Sequence, residues 1–161
     1  MGMQLIETVE VGSGGAASIE FTSIPQDGVD LMLVLSARAS AILTQLRFNG
    51  DTTDANYSRL TLRGNGSTAS SFSSDGSYTL LASSTSQTSN TFGNGSAYIS
   101  NYTSTANKSI SIDTVNENNA TAADAYLWAY SYSTSSPITS LSIVGSLEQY
   151  STASLYTISA D

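Results

Sequence analysis

Three acids, Asp113, Glu117 and Asp124, lie close together in the chain. A pair of carboxylates with separated pKa values is what glycoside hydrolysis requires. Nothing around these three singles out one member for a raised pKa, so solvation on a polar surface is the better account. Asp51, Asp54 and Asn56 offer oxygen atoms of the kind calcium takes. They lack the regular acidic spacing and glycine turn of a calcium loop, which favours a solvated turn. Gly64-Asn65-Gly66 has no following lysine and opens no helix, so it does not read as a phosphate cradle. Tyr126, Trp128, Tyr130 and Tyr132 recur at every second position and would share one face of a strand. Such a row could stack against sugar rings as a glycan platform, or fill a core or a subunit interface. The opposite face offers only Ala, Leu and Ser, which favours the interior. The chain contains no histidine and no cysteine. That removes the Ser-His-Asp triad, the imidazole proton shuttle, thiolate metal sites and disulfides. No catalytic residue, cofactor or metal ligand is expected.

The elements that would position these residues are strands. Apolar residues alternate with polar ones between clusters of Gly, Asn, Asp and Ser, and no amphipathic helix of useful length appears. Residues 5–11 read as a strand with Leu5, Val9 and Val11 on one face. Residues 17–23 read as another, paired to the first by a hairpin across Gly12-Ser13-Gly14-Gly15. Residues 31–37 are apolar on both faces, as in a strand buried on both sides. Residues 42–48 form a strand, although 36–46 could instead make a short helix. Residues 58–62 alternate, which places Leu60 and Leu62 inward and Arg59, Thr61 and Arg63 outward. Residues 64–96 are rich in Ser, Thr, Gly and Asn and read as loops around one short strand at 78–82. Further strands follow at 96–100, 109–115, 124–132, 140–145 and 154–158. About ten short strands point to a single all-β domain spanning 1–161, an antiparallel β-sandwich and plausibly a jelly roll.

The balance of charge narrows the partners. The 161 residues carry a net charge of −8, with a pI near 4.1. An acidic surface repels phosphate backbones and anionic membranes, so neither nucleic acid nor membrane is an expected partner. No apolar run approaches the ~20 residues of a membrane span, and residues 1–10 show no secretory signal. Charged residues make up 11% of the chain, while Ser and Thr supply 50 positions, so solubility rests on hydroxyls.

Several segments together carry a family resemblance. They are Ile24-Pro25-Gln26, the run from Asp30 to Arg38, Arg47-Phe48-Asn49-Gly50-Asp51, Tyr57-Ser58-Arg59-Leu60 and Arg63-Gly64-Asn65-Gly66-Ser67. To these add Asn101-Tyr102-Thr103, Glu117-Asn118-Asn119-Ala120-Thr121 and the run from Gln149 to Tyr156. In this order, over nearly the whole chain, they resemble small β-rich virion structural proteins of tailed bacteriophages, frequent in phages of aquatic bacteria. The resemblance implies a non-enzymatic protein on the virion surface, made in the host cytoplasm without a signal peptide. Two roles fit, and the single small domain, with no shaft, favours a capsid decoration (cement) protein that binds the major capsid protein of the outer shell as a homotrimer. The alternative is the receptor-binding tip of a tail or head fibre that recognises host glycan. Apolarity nominates Leu31, Met32, Leu33, Val34 and Leu35 as subunit or shell contacts. Residues 1–6 are nominated as an N-terminal arm reaching the shell.

Overall fold

The computed structural model describes residues 2–117 and 123–159, without the side chains of Leu81 and Glu117. Residues 118–121, part of one resemblance segment, lie outside the described residues, as does Met1 of the expected arm.

The strands are β1 (Met3–Glu10), β2 (Ala16–Phe21), β3 (Asp30–Ala39), β4 (Leu43–Phe48), β5 (Tyr57–Gly64), β6 (Ala69–Asp75) and β7 (Tyr78–Leu81). They continue as β8 (Ser83–Ser84), β9 (Gly93–Ile99), β10 (Lys108–Glu117), β11 (Ala123–Tyr132), β12 (Leu141–Leu147) and β13 (Thr152–Ile158). Four antiparallel pairings are nested about the middle of the chain: β1 with β13, β2 with β12, β3 with β9 and β4 with β7. Nested pairs of this kind are a long hairpin rolled into two layers, the jelly roll. One layer runs β1-β13-β3-β9 and the other β2-β12-β4-β7; the end of β3 joins them where Leu147 pairs with Ala39. The β5–β6 hairpin and the β10–β11 hairpin then extend the first layer in the order β9-β10-β11-β5-β6. Among the described residues the large sheet therefore has eight strands facing a small sheet of four, with the two-residue β8 paired in parallel to the end of β3.

The core lies between the sheets. Leu31, Leu33 and Leu35 of β3 meet Ile19, Leu46, Phe48, Ile99, Ile143 and Leu155 there, all essentially without solvent exposure. Each buried aliphatic side chain contributes about 1.5–3 kcal/mol.

Several sequence expectations change. β3 is buried on one side only, because its other face, with Met32 half-buried and Val34 exposed, turns away from the small sheet. The expected hairpin between residues 5–11 and 17–23 does not form. β1 and β2 belong to different sheets, and the glycine loop carries the chain across. Gly15 suits that crossing: its φ is +75°, and a Cβ there would sit 2.7 Å from the Leu147 carbonyl oxygen. A bulge between Leu5 and Glu7 reverses the facing of β1, so Leu5 is exposed while Val9 packs on the core. Residues 3–6 are an edge strand paired to β13, not a free arm. The helical option for 36–46 is not taken; β3 runs on to Ala39 and β4 begins at Leu43. The region 64–96 holds β6, β7, β8 and the start of β9 rather than one strand among loops.

Candidate functional site

The aromatic row comes from β11, whose alternation puts all four rings on the inner face of the large sheet. Tyr130 and Tyr132 are buried against Tyr57, with centroids 5.8 and 4.9 Å away, and Phe48 lies 5.3 Å from Tyr132. The Tyr130 hydroxyl donates to the Leu46 carbonyl at 3.1 Å. Burial raises the Tyr130 and Tyr57 hydroxyls far above the ordinary tyrosine range. Trp128 is buried and donates from Nε1 to Thr114 Oγ1 at 3.3 Å. Tyr126, half-buried, stacks on Trp128 at 4.9 Å and 10°. The Arg59 guanidinium lies 5.6 Å from the Trp128 ring and Arg63 lies 5.5 Å from the Tyr126 ring. Arg63 is held in turn by Asp124, which accepts from its Nε at 3.1 Å and Nη2 at 2.9 Å. These rings are sandwiched by one another, by guanidinium groups and by the small sheet. Trp128, Tyr130 and Tyr132 are interior packing, which favours the core over a glycan platform, and Tyr126 alone keeps partial exposure.

This arrangement inverts the expected facing of β5. Arg59, Thr61 and Arg63 point to the inner face, and Leu60 and Leu62 point out. The inward arginines use their flat guanidinium groups as lids on the aromatic rings. The leucines meet solvent: Leu60, Leu62 and Leu127 are 55%, 55% and 57% exposed. Cross-strand pairing places Leu62 directly opposite Leu127, Leu60 opposite Ala129, and Ala125 opposite Val115, which is also exposed. A hollow of about 640 Å³ lies along Leu62, Leu127, Val115 and Ala125, and one of about 360 Å³ lies beside it along Leu60 and Ala129. Its polar lining is mainly hydroxyl, from Ser71, Ser109 and Ser111. Asp113 stands in the same row, directly opposite Leu127, and accepts a hydrogen bond from Ser96 Oγ at 2.5 Å. The outer face continues across β9 and β3 through Tyr98, Met32 and Val34.

Of the nominated contacts on β3, Val34 and Met32 therefore lie on this outer face. Leu31, Leu33 and Leu35 are fully committed to the core and reach no partner. Asp113 and Asp124 occupy opposite faces: Asp113 points outward, whereas Asp124 pairs with Asn116 and reaches Arg63 inside. They cannot act on one substrate. The Glu117 side chain lies outside the described residues. Asp51 accepts from the Thr53 N–H at 2.8 Å and from Asn56 Nδ2 at 2.7 Å. Burial would raise its pKa, but these bonds outweigh that and hold it below the ordinary aspartate value. The Asp51 carboxylate thus organises a turn, and no group of three or more potential His, Cys, Asp or Glu metal ligands occurs among the described residues.

Three of the five basic side chains, Arg59, Arg63 and Lys108, are turned inward. Arg38 donates to the carbonyls of Thr85, Gln87, Thr88 and Thr91, and Lys108 is buried beneath the 100–107 turn. With Arg59 and Arg63 spent on rings and on Asp124, these four cations hold the chain together.

In comparisons with known proteins, no family model, curated protein or solved structure matches the chain.

Proposed function

We propose that the chain is a non-enzymatic structural protein of a bacteriophage virion, a capsid decoration protein. The observation that carries this reading is the leucine-bearing outer face of the large sheet. Antiparallel sheets that face water normally alternate polar residues outward. Here three leucines and a valine stand together, exposed, on a chain of net charge −8. A contiguous apolar patch of that kind marks a binding surface, and the carboxylate within it, Asp113, already has a hydrogen-bond donor in Ser96. Burying the exposed halves of three leucines supplies roughly 3–4 kcal/mol per subunit. Repeated over many shell positions, such a contact clamps neighbouring subunits without chemistry. The resemblance to phage virion proteins supplies the identity of the partner, the major capsid protein. The fibre-tip alternative drew on the Ser- and Asn-rich loops and on the aromatic row, three of whose four rings are buried.

The test is co-sedimentation with shells that lack the protein. Leu62→Lys with Leu127→Lys puts two ammonium groups at the centre of the face. Wild type should pellet with the shells and the double variant should bind at least a hundredfold more weakly, with both melting at the same temperature. Undiminished binding by the variant would remove this face as the contact.

A further inference from the structure

The large sheet has two free edges, β1 and β6, and they differ. A free strand edge offers unpaired N–H and C=O groups to any passing strand, and proteins guard such edges with charge, bulges, proline or brevity. β1 is guarded by its bulge and by Glu7 and Glu10. In the small sheet, β7 is four residues long with an irregular register to β4, and β2 carries Glu20. β6 has none of these defences in its centre. It runs seven residues, every one exposed, in unbroken register with β5 from Gly64↔Ala69 to Ser58↔Asp75. It contains no proline, and its single charge, Asp75, stands at the end.

Its sequence is also symmetric. Ser70-Ser71-Phe72-Ser73-Ser74 reads the same in both directions about Phe72. Antiparallel pairing about a two-fold axis sets residue i of one strand against its mirror position in the other. Centred on Phe72, this register puts Phe72 against Phe72, Ser71 against Ser73, Ser70 against Ser74 and Ala69 against Asp75. Phe72, 41% exposed, gains an aromatic partner. The two Asp75 carboxylates end about 20 Å apart along the strands, so the acidic chains do not repel at the seam. The partner that fits is a second copy of this chain.

We propose that β6 pairs with β6 of a second copy across a two-fold axis at Phe72, joining two large sheets into one of sixteen strands. The joint lays the two leucine faces side by side on one continuous surface. It depends on the edge alone and stands whether or not the outer face binds a shell. It departs from the three-fold assembly that the family resemblance implies, and mass distinguishes the two.

Sedimentation equilibrium of the whole protein across a range of concentrations gives that mass. Wild type should be a dimer. Ser71→Lys with Ser73→Lys sets lysine against lysine at both flanking positions and should raise the dissociation constant at least a hundredfold. Ser71→Glu with Ser73→Lys sets glutamate against lysine twice and should restore the dimer. At concentrations below the dimer dissociation constant all three proteins should share one melting temperature, since β6 is exposed. A monomeric or trimeric wild type overturns the proposal, and so does a dimer that survives the double lysine. Failure of the glutamate–lysine variant to dimerise overturns the Phe72-centred register.

Discussion

Replacing Lys108 with methionine tests whether a buried cation stabilises this fold. The side chain is 1% exposed. Its ammonium donates to the Ser104 carbonyl at 2.5 Å, to Ser104 Oγ at 3.0 Å and to the Ala106 carbonyl at 2.7 Å. No carboxylate shares the site among the described contacts. Methionine keeps the apolar stem and its burial but leaves these acceptors without a donor. Each stranded acceptor costs about 1–3 kcal/mol, reduced here because residues 104–106 lie near solvent. Against this stands the relief of desolvation, which already lowers the Lys108 pKa below its ordinary value. The acceptors win, and Lys108→Met should lose about 2 kcal/mol, or roughly 4–8 °C of melting temperature. The pH dependence has a definite sign. Because the folded pKa is depressed, the unfolded chain binds more protons between that value and 10.5. Wild type should therefore gain stability over the variant as pH rises through that window. Thermal and denaturant unfolding of both proteins supply the numbers. A variant as stable as wild type, or more so, would show that desolvation outweighs the three bonds.

Tyr57→Phe removes a buried hydroxyl that accepts from the Phe48 N–H at 3.2 Å and donates to the Asp51 carbonyl at 3.0 Å. Denaturant titration should show a loss of about 1.5–3 kcal/mol. Gly95→Ala places a Cβ 2.5 Å from Thr114 Cγ2 and 2.7 Å from the Asp113 carbonyl oxygen, inside the β9–β10 ladder. It should cost about 2–3 kcal/mol in the same assay, since backbone cannot retreat as a flexible side chain would. Burial raises the Tyr57 and Tyr130 pKa values in the folded state, so their stabilisation is complete below pH 10 and is lost as pH rises above it. Absorbance at the phenolate band should show these two ionising together with unfolding, not before it.

Alternation made the strands legible, and β3, β10, β11, β12 and β13 lie close to where period-two patterning puts them. Facing was harder. In β5 the leucines and the arginines alternate equally well, and hydrophobicity alone turns the leucines inward. The rings of Trp128 and Tyr126 reverse that, because a guanidinium stacks on an aromatic face and brings its charge along it. The cue present in the sequence was two arginines spaced like two aromatics on a strand that had to pair nearby. β6 left no periodic trace, since serine stands on both of its faces and the β5 ladder holds it in place. The Gly12–Gly15 segment signalled a turn correctly, but a local turn cannot report that its two flanks join different sheets. That follows from pairings between opposite ends of the chain. The leucine surface was missed for the same reason as the facing of β5, and the doubly apolar look of β3 drew attention to residues the core had already claimed.

We propose a protein that coats a capsid. The most direct measurement is its copy number in purified virions, by quantitative mass spectrometry against the major capsid protein. Hundreds of copies in a simple ratio to the shell subunit are expected. A few to a few tens of copies per particle would contradict it and assign the protein to a fibre or tail.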